Sequence, residues 1–84
     1  MYSVFYTSAA SRQLKRLPQE VAAHIQCTVE SLANNPRAAQ TQKLEGYPNA
    51  YRLRIGRYRV VYTIEDPIRR VVIYRIGHRK EVYR

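Results

Sequence analysis

The fold is decided by the stretch Tyr51-Arg52-Leu53-Arg54-Ile55-Gly56-Arg57-Tyr58-Arg59-Val60-Val61-Tyr62-Thr63-Ile64. Successive side chains of an extended strand point to opposite faces, so a period of two separates apolar from polar positions. In the first run, Tyr51, Leu53 and Ile55 point one way and both arginines the other. The second run repeats the pattern, with Tyr58, Val60, Tyr62 and Ile64 as its apolar set. Gly56-Arg57 has the length of a two-residue hairpin turn, glycine taking the first central position. The two runs therefore predict an antiparallel hairpin with one apolar face, and Arg52, Arg54 and Arg59 share the other. A slip of one residue would bury the arginines, at a desolvation cost that no such domain could bear.

Working outward, Glu65-Asp66-Pro67 turns the chain, and Val71-Val72-Ile73-Tyr74-Arg75-Ile76 gives a last long strand. Upstream, residues 37–50 read as a polar connection, within which Leu44, Gly46 and Tyr47-Pro48 suggest a tethered loop. Before it, Val21, Ile25, Thr28, Val29 and Leu32 recur at the spacing of a one-faced amphipathic helix, which Asn34-Asn35-Pro36 stops. Pro18 suits the first turn of that helix and ends an earlier one carrying Leu14 and Leu17. Thr7 or Ser8 can cap the earlier helix, and Tyr2-Ser3-Val4-Phe5-Tyr6 is a plausible opening strand. Two helices this close in sequence are expected to form an antiparallel hairpin. The order is β-α-α-β-β-β: an α+β domain, an antiparallel sheet with an N-terminal helical hairpin on one face.

Eighty-four residues make a single domain spanning residues 1–84, near the lower size limit for a self-sufficient core. A hydrophobic content of 45% argues against disorder, and no apolar run approaches the ~20 residues of a membrane span. The first residues lack the basic lead of a secretory signal, and the lone Cys27 cannot form an internal disulfide. A cytoplasmic protein is expected. Fifteen Lys+Arg against six Asp+Glu give a net charge of +9. The excess is concentrated in residues 51–84, which hold ten basic and three acidic side chains, nine of the ten being arginine. Arginine forks onto phosphates and stacks on bases, whereas mere solubility does not call for it over lysine. The asymmetry predicts a polyanionic partner, either nucleic acid or an acidic protein that masks the same surface. His24 lies on the flank of the second helix and reads as structural. Cys27 has no His or acidic neighbour that would suggest nucleophilic or metal work. No metal-ligand spacing, P-loop or dinucleotide fingerprint appears, so no metal and no cofactor is expected.

Four segments resemble the RelE family of toxin–antitoxin endonucleases: Lys43-Leu44-Glu45-Gly46, Tyr51-Arg52-Leu53-Arg54, Tyr58-Arg59-Val60-Val61-Tyr62 and Gly77-His78-Arg79-Lys80-Glu81-Val82-Tyr83. Their order, with the leading helices, extends the resemblance over essentially the whole chain. The resemblance implies a toxin that enters the ribosomal A site and cuts the mRNA there. It also implies an acidic, RelB-like antitoxin whose complex with the toxin binds operator DNA through the antitoxin. No membrane partner is implied. Arg52 and Arg54 match the paired basic residues of the family's second strand, and Arg59 its phosphate-binding arginine. Arg79 matches the catalytic arginine and Tyr83 the terminal aromatic, while His78 falls where relatives carry various basic residues. The candidate catalytic residues are thus Arg59, Arg79, Tyr83 and His78, and the candidate RNA-binding residues Arg52, Arg54 and Arg57. The wider superfamily also holds ParE-type toxins, which share the fold but poison DNA gyrase, so fold alone does not fix the activity.

RNA can be cut without metal, its own 2′-hydroxyl attacking the adjacent phosphate. The protein must then remove a proton, stabilise the phosphorane and protonate the leaving oxygen. Preorganised arginines serve the second need, since fixed cations are worth several kcal/mol in a water-poor site. They serve the first poorly, because guanidinium keeps its proton above pH ~12. Tyrosine has the same handicap, and histidine is the side chain whose ordinary range lies near neutrality. The sequence shows a strong electrostatic clamp and leaves the general base open. Such a catalyst relies on positioning, which the ribosome could supply.

Overall fold

The computed structural model describes residues 1–38 and 41–78. Strand β1 (Ser3–Tyr6) is followed by helices α1 (Ser8–Lys15) and α2 (Gln19–Glu30), the latter running into a 3₁₀ turn at Ser31–Ala33. Strands β2 (Thr41–Lys43), β3 (Ala50–Ile55), β4 (Tyr58–Glu65) and β5 (Arg70–His78) complete one sheet in the order β1-β5-β4-β3-β2. No helix among the described residues is long and apolar enough to cross a membrane.

Local chemistry sets the element ends. Thr7 caps α1, its Oγ1 accepting from the Ala10 N–H at 3.1 Å. Its own N–H donates to the Ile73 carbonyl at 3.0 Å, so the cap also ties α1 to β5. Pro18 stands at the N-cap of α2, where a missing N–H is harmless. Gly56, at φ +59°, opens the two-residue turn between β3 and β4, whose closing pair is Ile55 and Tyr58. Only the first central residue has positive φ, as a type II′ turn requires.

One side of the sheet carries the core. Leu53, Ile55, Val60, Tyr62, Ile64, Val71, Ile73 and Ile76 are buried there against Ala10 of α1 and Ile25, Val29 and Leu32 of the α2 segment. Each large aliphatic side chain so covered contributes about 1.5–3 kcal/mol. Tyr62 is fully buried, and its hydroxyl donates to the Pro36 carbonyl at 2.6 Å, which satisfies the one polar atom it takes inside. Both helices therefore sit on one face, as the sequence patterns require.

Two expectations are corrected. The sheet is mixed, not antiparallel, because β1 pairs in parallel with β5 over Ser3–Tyr6 and Arg70–Ile73. Turn chemistry fixes the direction of strands joined by a tight hairpin, but β1 and β5 are joined by most of the chain, helices included. The polar connection also contains a strand, β2, antiparallel to β3 through Thr41–Leu53, Gln42–Arg52 and Lys43–Tyr51. Three polar residues on a sheet edge carry no hydrophobic period, since their backbone groups alone make the ladder.

Strand β5 holds a further departure from regularity. Tyr62 pairs with Ile73 but Val61 with Arg75, so Tyr74 is an extra residue, a β-bulge. Tyr74 and Arg75 are consequently both exposed while Ile73 and Ile76 are both buried.

Candidate nucleic-acid interface

The face of the sheet turned away from the helices is organised in cross-strand rows. One row runs Gly77, Arg59, Arg54 from β5 to β3; the next runs Arg75, Val61, Arg52, Gln42 from β5 to β2. The three arginines expected on one face are thus brought together there. Their surroundings differ. Arg54 is exposed, and Arg52 is half-buried with its Nη2 donating to Gln42 Oε1. Arg59 is only 9% exposed, and its Nη1 is out of solvent contact. Its ladder partners are Arg54 on one side and Gly77 on the other. Arg59 is therefore a partly desolvated cation, and Arg54 an exposed one beside it. Arg52 is braced by an amide. This is the arrangement of a clamp for phosphate, since a cation in a low-dielectric setting acts more strongly than the same charge in water.

The other end of this face is neutralised. Glu65 receives both Nε and Nη2 of Arg70, at 3.1 and 3.0 Å, and this arginine draws its carboxyl below the usual range. The Arg70 guanidinium also lies 6.0 Å from the centre of the Phe5 ring. Next to it, Asp66 is held by Arg37 at 2.8 Å and by the Tyr2 hydroxyl, which keep its carboxyl below the ordinary aspartate value, Arg37 foremost. Arg37 also donates to the Tyr51 hydroxyl at 3.2 Å, and Tyr51 stacks on Tyr62 with centroids 6.0 Å apart. That network fastens the segment after α2 to the β4–β5 turn. Sequence reasoning missed Arg37, because nothing in its local pattern distinguishes a structural arginine from an RNA-binding one.

The remaining candidates are dispersed. His78 pairs with Tyr58 across the ladder and meets its ring edge-on, with centroids 5.9 Å apart and planes at 77°. Tyr58 belongs to the core-facing set, so His78 is on the helix side of the sheet, opposite to Arg59. Arg57 is exposed in the β3–β4 turn, beside Glu20 and His24 of α2 and off the arginine face. Arg79 and Tyr83 lie outside the described residues. Among the described residues, no group of three or more His, Cys, Asp or Glu is placed to hold a metal ion. Among the described residues, the carboxylates at the far end of this face, Glu65 and Asp66, are engaged by Arg70 and Arg37.

Comparison with known proteins decides the lineage. A family model described as the ParE toxin of the type II toxin–antitoxin system parDE matches residues 4–83. The chain belongs to the RelE/ParE toxin family. It is 37% identical to Toxin RelE of Mycobacterium tuberculosis over 84 residues, covering 99% of this chain and 87% of the relative. It is 32% identical to Toxin RelG of the same organism, covering 99% and 97%. Among solved structures, a chain of the M. tuberculosis toxin–antitoxin complex RelBE2 superposes with a TM-score of 0.83 at 31% identity, covering 93% of this chain and 98% of that one. The isolated E. coli RelE toxin gives 0.82 at 25% identity, covering 99% and 92%. In this toxin the helices cover one face of the sheet, and Arg52, Arg54 and Arg59 stand on the face left open.

Proposed function

We propose that this RelE-family toxin is a ribosome-dependent mRNA endonuclease, an endoribonuclease that cuts mRNA in the ribosomal A site by metal-independent attack of the 2′-hydroxyl, and so inhibits translation in the cytoplasm. The observation that carries the reading is the shared face of Arg52, Arg54 and Arg59, with Arg59 buried between Arg54 and Gly77. In this mechanism Arg59 neutralises the phosphorane, and Arg52 and Arg54 hold the flanking phosphates. Arg79 and Tyr83 complete the site in this reading, on the strength of the resemblance carried by Gly77-His78-Arg79-Lys80-Glu81-Val82-Tyr83. The identity of the general base is left open, and the ribosome contributes by holding the RNA in an attack-ready shape. The partner in the resting state is an acidic, RelB-like antitoxin that covers the arginine face. Several neighbours with this fold were crystallised as RelB–RelE complexes.

The ParE description of the matching family model favours a second reading, a gyrase poison without nuclease chemistry. One experiment separates the two. Primer extension on mRNA in a translation extract, with and without the toxin, is run beside a gyrase supercoiling assay. Discrete new 5′ ends in ribosome-bound message support the nuclease. Blocked supercoiling with intact message overturns it.

A further inference from the structure

Along the edge of β5 lies a cleft that takes Arg75 and Gly77 from the arginine face and His78 and the end of α1 from the helix side. It has a volume of about 270 Å³ and lies between the end of α1 and the last residues of β5, walled by Arg16, Leu17, Arg75, Gly77 and His78. It exists because β1 stops pairing at Ile73, and among the described residues no strand continues along that edge of β5. The Gln13 side chain takes the place of a strand at one point, its Oε1 accepting from the Ile76 N–H at 2.7 Å. Two walls are cationic, no carboxylate among the described residues lines the cleft, and Arg12 and Lys15 add charge from the last turn of α1. The other walls suit a flat ring: Leu17 is apolar, and the His78 imidazole is set by its edge contact with Tyr58. Gly77 joins the two regions, because its ladder partner is Arg59, one strand spacing of about 4.8 Å away.

We propose that this cleft is a subsite for one nucleotide of single-stranded RNA, next to the nucleotide whose phosphate meets Arg59. Arg16 and Arg75 hold its phosphate, and Leu17 and His78 pack against its base. Unpaired bases are commonly received on histidine and other flat side chains, with arginine nearby for the backbone. The proposal rests on the RNA-cleaving reading and gives His78 a binding task at the β5 edge. An acidic peptide would satisfy the arginines but would leave the ring-shaped wall unused.

The test uses the full chain, isotope-labelled, and a 2′-O-methyl hexaribonucleotide that cannot be cut. Addition of the hexamer is expected to shift the Leu17 methyl and His78 ring resonances. Arg16→Ala and Arg75→Ala, both at exposed positions, are each expected to weaken binding about three- to fivefold. Each should also lower the slope of log affinity against log salt by about 0.7, one phosphate contact on a single strand. Thermal melts of the variants check that they remain folded. If Leu17 and His78 do not respond, in a toxin that still cuts mRNA in the translation extract, the subsite is overturned and the proposed function stands. If the toxin cuts nothing there, the function itself fails. If inorganic phosphate alone shifts these resonances as far as the hexamer does, the base takes no part and the nucleotide subsite is overturned.

Discussion

Arg54 and Arg59 are direct ladder partners on β3 and β4, two like charges facing each other across one strand spacing. Like charges directly opposite destabilise a sheet by an amount comparable to what opposite charges contribute, roughly 0.2–1 kcal/mol. The buried member suffers more, because water cannot reach all of it to screen the repulsion. An anion laid across both reverses the sign of the interaction. An uncharged residue at either position would remove that mutual repulsion.

Arg54→Thr tests that relationship. Threonine suits a strand and removes the repulsion, so the melting temperature should hold or rise by a few degrees, given about 4–8 °C per kcal/mol for a domain of this size. Binding of a short RNA should weaken in the same variant. A lower melting temperature with unchanged RNA affinity would contradict both halves.

Arg59→Ala should lower mRNA cleavage in the translation extract about 100-fold or more, the usual cost of removing one preorganised charge donor. Arg59→Lys should restore little, because an ammonium cannot reproduce the planar fork from the same buried stem. Primer-extension band intensity over time measures both. Retention of the parental rate by Arg59→Ala would remove the central residue of the mechanism.

Burial pushes the Tyr62 phenol up to about 12. The unfolded chain ionises a tyrosine near 10, so between about pH 10 and 12 the unfolded state sheds this proton and the folded state keeps it. Stability therefore falls as pH rises through that window. Tyr62→Phe should flatten this alkaline step while costing about 1–3 kcal/mol at neutral pH, since the Pro36 carbonyl loses its donor. Urea titrations at a series of pH values give both quantities.

The acidic limb depends on Asp66 and Glu65, whose carboxyls are drawn down by Arg37 and Arg70 respectively. A lowered folded value means that the stabilisation is complete above the ordinary range of about 4 and disappears as pH falls through the folded value. Asp66→Asn should reduce this acid dependence and loosen the segment after α2, read as faster amide exchange around Pro36–Ala38. Both groups are exposed, so the effect should shrink with added salt. An acid limb identical to the parent's would show that the Arg37–Asp66 bridge carries no linkage.

The sequence made the β3–β4 hairpin and the shared arginine face legible because alternation and a glycine turn fix register locally. The helices were legible for the same reason, from Val21, Ile25, Val29 and Leu32 at helical spacing and from the proline at position 18. The direction of β1 was not, because its partner lies more than sixty residues away and backbone pairing leaves no side-chain signature. Strand β2 escaped for a related reason, being three polar residues at an edge. The burial of Arg59 was not legible either, because it depends on what the tertiary fold places around a position that alternation assigns to the open face. Reading His78 as part of one catalytic set with Arg59 followed from the family resemblance and from histidine's ordinary range near neutrality. The strand's parity then put them on opposite sides. Adjacent Tyr74 and Arg75, two outward residues in a row, were the signal of the bulge that alternation alone offered.

Tyr74 can be regarded as a spacer that the polarity pattern does not need. Without it, Ile73, Arg75, Ile76 and Gly77 would already alternate inward and outward against Tyr62, Val61, Val60 and Arg59. Its deletion should therefore leave a protein that melts cooperatively with its core intact. What would be lost is the bend and added twist that a bulge gives a strand. Gly77 and His78 would set out on a different heading relative to the arginine face. Folding and aim are thus separable in this strand, and a one-residue deletion is expected to keep the first and abolish toxicity through the second.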